Sequence, residues 1–123
     1  MNLVLWIAQI VLAFMFLMAG SMKVAKSREE MQEQFDWVED FSGNTITFIG
    51  VTEILGAIGL ILPALTGIAP VLVPVAATGL SVVMLLALIV HYRRSEMPNV
   101  VVTGMLLLLA AFVAWGRFGD YAL

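Results

Sequence analysis

Glu53 stands inside the stretch ITFIGVTEILGAIGLIL, residues 46–62, which is otherwise apolar or small. A carboxylate held in hydrocarbon costs about 2.5–3.5 kcal/mol on insertion scales. It therefore needs a partner, a proton or a use. Two other ionisable residues, Lys23 and His91, fall at the ends of apolar stretches. Lys23 and Glu53 have the chemistry of an ion pair, and His91 adds a titratable ring. Such a cluster can hold the polar head of a ligand, pass protons, or simply neutralise itself. Each member also has a plainer reading. Lys23 can snorkel to the interface, His91 can be an interfacial hydrogen-bonder, and Glu53 can be a neutral carboxyl bonded to Ser21 or Thr52.

Other chemistries are excluded by composition. The chain has no Cys and one His, so disulfides, thiolate metal sites and multi-His metal sites are absent. One Glu and one His fall short of a haem or di-iron site, and no metal is expected. No nucleophile–base pair or nucleotide-binding loop occurs, so no autonomous catalytic activity is expected. A formal charge of −3 without a basic stripe argues against nucleic acid.

The elements that must position these residues follow from hydropathy. Of 123 residues, 62% are hydrophobic and 12% charged, about half the charged fraction of an ordinary soluble domain. Four segments reach the roughly 17–25 residues that cross a bilayer: residues 3–22, 46–62, 71–90 and 100–116. Backbone groups in lipid must be satisfied within the segment, so all four read as helices. The first has no Lys or Arg before it and is long for a signal-peptide core, so it is expected to remain as a helix. The fold class is all-α: a single integral membrane domain, built as an up-down four-helix bundle because loops 2 and 3 are short.

Basic residues set the orientation. Lys23, Lys26 and Arg28 follow helix 1, Arg93 and Arg94 follow helix 3, and Arg117 is alone on the other side. The positive-inside rule puts loops 1 and 3 in the cytoplasm and both termini outside a multi-pass cell-membrane protein. Glu53 then lies seven residues into helix 2, about 10 Å deep at about 1.5 Å per residue. Lys23 and His91 end helices 1 and 3 on that same side, so all three converge in the cytoplasmic half.

Loop 1 contains its own element. Ser27 and Glu30 have capping-box spacing. Met31, Gln34, Phe35, Val38 and Phe41 share one helical face, and Glu29, Glu30, Glu33, Asp36 and Asp40 lie mostly away from it. The pattern predicts an amphipathic interfacial helix over residues 28–41, ended by Ser42-Gly43-Asn44. Its polar face is acidic, whereas helices that lie on lipid usually present a basic one. Docking on the bundle mouth or on a partner is expected instead.

Small residues mark close approaches. Gly50, Gly56 and Gly59 surround Glu53, and Gly20 lies before Lys23, with Ala19 and Gly79 as further points. The glycines either let helices touch or leave space for a flat ligand. Gln9 is a further intramembrane polar residue. Trp6, Trp115 and Tyr121 at one interface, and Trp37 and Tyr92 at the other, read as aromatic belts.

The run FLMAGSMKV, residues 16–24, resembles the first-helix signature of the DoxX-like membrane proteins. IGVTEILGAIGLILP, residues 49–63, resembles their second-helix motif, and His91 and Gly116-Arg117 fit the ends of the third and fourth helices. The resemblance covers nearly the whole chain. It implies four transmembrane helices and a membrane location; the family takes its name from a small subunit associated with a quinol oxidase and thiosulfate:quinone oxidoreductase. The resemblance assigns no catalytic role to Lys23, Glu53 or His91.

The expected function is an accessory or structural subunit of a membrane complex, with a quinone or lipid as the candidate ligand. Partners are the bilayer, other membrane subunits or a second copy. The alternative is a small proton-coupled transporter or a lipophilic-ligand-binding protein.

Overall fold

The computed structural model describes residues Met1–Leu123. Its elements are α1 (Asn2–Ala25), α2 (Arg28–Gln34), a 3-10 helix (Asp36–Asp40), α3 (Gly43–Thr66), α4 (Leu72–Arg93) and α5 (Met97–Phe118). The four long helices have 24, 24, 22 and 22 residues and are apolar enough to cross a membrane. At about 1.5 Å per residue each exceeds the roughly 30 Å of bilayer hydrocarbon.

The bundle closes in the order α1, α3, α4, α5, with a smaller contact returning from α5 to α1. Leu12, Phe16, Leu60, Ala77, Leu80 and Val113 form its buried centre. Only 24 of 123 residues are buried, and large apolar side chains such as Leu3, Phe14, Phe48, Leu65 and Leu108 point outward. A water-facing surface of that kind would drive association; a lipid-facing one requires it. The chain is thus a membrane-spanning four-helix bundle.

Both chain ends lie at one end of the bundle, since Arg117 Nη1 donates to Asn2 Oδ1 at 2.7 Å. Loops 1 and 3 lie at the other, where Arg94 donates to Asp40 at 2.7 Å and to Glu39 at 2.8 Å. These are called the terminal end and the cap end below.

The helices overrun the apolar stretches. α3 begins at Gly43 because Ser42 caps it, its Oγ accepting from the Thr45 amide at 3.2 Å. It continues through Pro63 to Thr66, where Gly67 ends it at φ +70°, a conformation glycine adopts without strain. Pro63 lies in the last turn, so its missing N–H leaves one carbonyl, that of Gly59, without its helical donor.

Loop 1 departs from the single helix over residues 28–41. The Ser27–Glu30 capping box is present, but α2 stops at Gln34 and Phe35 is extended at φ −134°, ψ 117°. The 3-10 helix follows. A continuous helix would point Trp37 roughly opposite to Phe35, as residues two apart lie about 200° apart. The break instead brings Trp37 within 6.3 Å of Phe35 and 5.8 Å of Phe41, centroid to centroid. Met31 and Val38 become fully buried with Ile46, whereas Gln34 is exposed rather than inward.

Candidate functional site

Lys23 occupies the last turn of α1 and Glu53 the interior of α3. Their helices meet closely because Gly20 and Gly50 face each other. A methyl group at Gly20 would fall 2.6 Å from the Gly50 carbonyl oxygen, and one at Gly50 would fall 2.8 Å from that of Gly20. Only glycine fits both positions. This approach sets Lys23 Nζ 2.8 Å from Glu53 Oε1, with 13% and 3% of the two side chains exposed. The contact is an ion pair, and no second donor reaches Oε1. Thr52 is not a partner, because its hydroxyl donates to the Phe48 carbonyl at 2.9 Å. Ser21 is exposed.

Glu53 lines a cavity of about 560 Å³ in the half of the bundle nearest the cap. Phe16, Ala19, Met84, Ala87 and Leu106 supply apolar walls from three helices. Phe35, Trp37 and Phe41 close it at the cap. Lys23, Glu53, His91 and Thr103 are the main polar groups. An apolar volume of this size with a few convergent polar groups is the usual form of a small-molecule site.

His91 shares the cavity with Glu53 but bonds elsewhere. Its Nδ1 is 2.7 Å from Glu96 Oε1. Burial pushes the Glu96 carboxyl up, but hydrogen bonds from His91 and Arg94 outweigh it and hold the group below its ordinary value. An ionised Glu96 can only accept, so Nδ1 donates, and a neutral ring keeps Nε2 as an acceptor. Trp37 connects His91 to Lys23. Lys23 Nζ lies 5.8 Å from the Trp37 ring centroid, and His91 meets the same ring edge-on at 6.3 Å.

Trp37 is the member of this site that the sequence concealed. It reads there as an aromatic-belt residue, and only the break at Phe35 turns it inward. Arg94 holds that turn in place, reaching the Asp36 carbonyl at 3.0 Å as well as Glu39, Asp40 and Glu96. Glu39, then Asp40 and Glu96, raise the guanidinium pKa above its ordinary value.

The remaining small residues divide. A methyl at Gly56 would fall 2.6 Å from Leu80 Cδ2, and one at Gly59 would fall 2.8 Å from Ala76 Cβ, so both close the α3–α4 seam. Gly79 is not a close approach: a methyl there would meet nothing within 4 Å. Gly116 is one instead, with Leu5 at 2.7 Å.

A second polar cluster lies at the terminal end. Arg117, 3% exposed, donates from Nε to Gln9 Oε1 at 2.7 Å, and Gln9 Nε2 donates to the Leu60 carbonyl at 2.7 Å. Read along the chain, Arg117 is an ordinary flanking cation, and Gln9 is the one signal of this cluster. Leu12, Phe16, Ala57 and Leu60 fill the centre of the bundle and are buried.

These features define a membrane-spanning bundle with a capped apolar cavity and a charged pair in its wall. A model of the DoxX-like family matches residues 7–113, and the chain belongs to that family. Comparison with curated proteins and with solved structures finds no match.

Proposed function

We propose that this protein is a lipophile-binding accessory subunit of a membrane complex. The observation that carries this reading is the apolar cavity in which Lys23, Glu53 and His91 face one volume. Glu53 has acceptor capacity that its ion contact with Lys23 leaves unused. A ligand head that donates a hydrogen bond, such as a hydroxyl or a reduced quinone, complements it, and Lys23 complements a carbonyl. On the positive-inside orientation this head lies in the cytoplasmic half of the bilayer.

Proton-coupled transport is less well supported. It needs a polar route across the bundle, whereas apolar Leu12, Phe16 and Leu60 are buried at its centre.

The test is purification in mild detergent followed by solvent extraction and mass spectrometry. A lipophile near one per chain is expected, lost in Glu53→Gln and reduced in Lys23→Met. Recovery no higher than from an unrelated four-helix membrane protein, or equal recovery from all variants, overturns the reading.

A further inference from the structure

The cavity has two candidate exits, one toward the aqueous side and one toward lipid, and they differ in how they are closed. Toward water stand Phe35, Trp37 and Phe41, held by the Arg94 contacts to the 3-10 helix. Toward lipid, the wall between α3 and α4 is incomplete. Phe48 and Leu86 line the cavity yet are 71% and 59% exposed. Phe48 and Thr52 lie one turn apart on α3, and Leu86 and Val90 lie one turn apart on α4, so each helix offers a stripe to the same gap. Both exposed residues are inside helices long enough to span the membrane, so this gap faces acyl chains rather than water.

The same seam carries a second concavity. Beyond Thr52, a shallow groove of about 300 Å³ runs along the outside of α3 and α4, lined by Leu55, Gly56, Val75, Gly79 and Leu80 among others. Thr52 lines both the groove and the cavity. Gly56 against Leu80 and Gly59 against Ala76 close the helices beneath the groove. Gly79, with nothing near it, leaves the groove open outward. Groove and cavity thus adjoin at Thr52, both are mainly apolar, and the cavity holds the charged pair.

We propose that the α3–α4 seam is a lateral portal, through which a single-chain lipophile enters from the bilayer, places its head at Lys23–Glu53 and leaves its tail in the outer groove. This inference rests on the lipophile-binding reading above. It assigns the ligand to the membrane phase and gives the acidic cap the part of a closed roof, not an entrance.

The chain has no cysteine and three tryptophans, which makes the test clean. Trp6→Phe with Trp115→Phe leaves Trp37, in the cavity wall, as the only tryptophan. In phosphatidylcholine proteoliposomes, 2-bromooctadecan-1-ol is the probe, since its bromine sits beside the head group and quenches tryptophan on contact. Saturable quenching is expected. Phe48→Cys with Leu86→Cys, joined by a reductant-cleavable bismaleimide, should slow it at least tenfold, and cleavage should restore it. The same linker across Met22→Cys and Val102→Cys, which line the α1 and α5 side of the same cavity, tests that side as the alternative portal and should slow quenching far less. Gly79→Leu, which fills the groove without touching the cavity, should weaken the probe several-fold.

Full-rate quenching with the α3–α4 seam closed, or slowing only when the α1–α5 side is closed, overturns the portal while binding stands. Quenching that never saturates in the unlinked protein overturns the binding reading, and the portal with it.

Discussion

Arg117 and Gln9 are joined at 2.7 Å inside the terminal end of the bundle, with 3% and 0% of the residues exposed. No carboxylate forms an ion pair with this cation. Neutral acceptors hold it instead: Gln9, Asn2 and the Tyr121 carbonyl, with the Trp6 ring 5.9 Å away. Gln9 also reaches the Leu60 carbonyl, so one amide ties α1, α3 and α5. Gln9→Leu strands a buried guanidinium and is expected to destabilise the fold by about 1.5–3 kcal/mol. Adding Arg117→Met should recover much of that loss. Thermal unfolding in detergent measures both, and a double variant no better than Gln9→Leu would contradict the linkage.

The Lys23–Glu53 contact makes a different prediction, because it combines opposite charges in a nearly dry place. Removing one partner leaves the other buried and unpaired, which is the costly half of such an exchange. Lys23→Met and Glu53→Gln should each destabilise, and the pair should lose less than their sum by about 0.5–3 kcal/mol, the range for groups in contact. Additive losses in the four-protein cycle would show that the 2.8 Å approach carries no coupling.

Much of this site was legible because depth is legible. Counting residues from the span ends puts Lys23, Glu53 and His91 in one half of the bundle on three helices, and hydropathy fixes the number of spans. Three things were hidden. Trp37 is invisible to a periodicity that assumes an unbroken helix, and the break at Phe35 has no strong local marker. Arg117 reads as a flank because a cation at a helix end usually is one. Gly79 and Gly116 look alike in sequence, yet one faces outward and the other meets Leu5. Small residues reveal which helices can approach, not which faces do.

That distinction is itself testable. Gly20→Ala and Gly50→Ala each place a methyl within 2.8 Å of the opposing backbone carbonyl, which cannot rotate away. Overpacking of this kind costs about 1–3 kcal/mol, and it should also separate Lys23 from Glu53 and lower lipophile retention. Gly79→Ala meets nothing and replaces a poor helix former, so it should be neutral or slightly stabilising. Equal effects at Gly50 and Gly79 would refute the assignment of the α1–α3 contact.

Arg94 is the loop 3 side chain that hydrogen-bonds to the cap. Its partners Glu39 and Asp40 are half exposed, so each bond is screened and weak alone. The backbone contact to Asp36 and the second carboxylate make it a network. Arg94→Gln should leave the melting temperature within a few degrees while raising amide exchange over residues 28–41 several-fold. Exchange confined to α5 instead would place the role of Arg94 elsewhere.

Acid should loosen the same cap from the other side of Arg94. The Glu96 carboxyl is held below its ordinary value of 4.5 by His91 and Arg94, despite the upward push of burial. A carboxyl whose folded value is depressed stabilises the fold fully above its unfolded value, and loses that contribution as pH falls through the lower folded one. The contribution of Glu96 to the cap should therefore be complete above about pH 5 and be lost progressively below about 4.5, as Glu96 takes up its proton and weakens its hold on Arg94 and His91. In the protein with Trp37 as sole tryptophan, the transition appears as a change in emission as that ring loses its neighbours. Glu96→Gln removes the charge at every pH. It should show the loosened emission already at neutral pH and lose the acid step that Glu96 contributes. An unchanged acid profile in Glu96→Gln would separate the cap from the His91–Glu96–Arg94 chain.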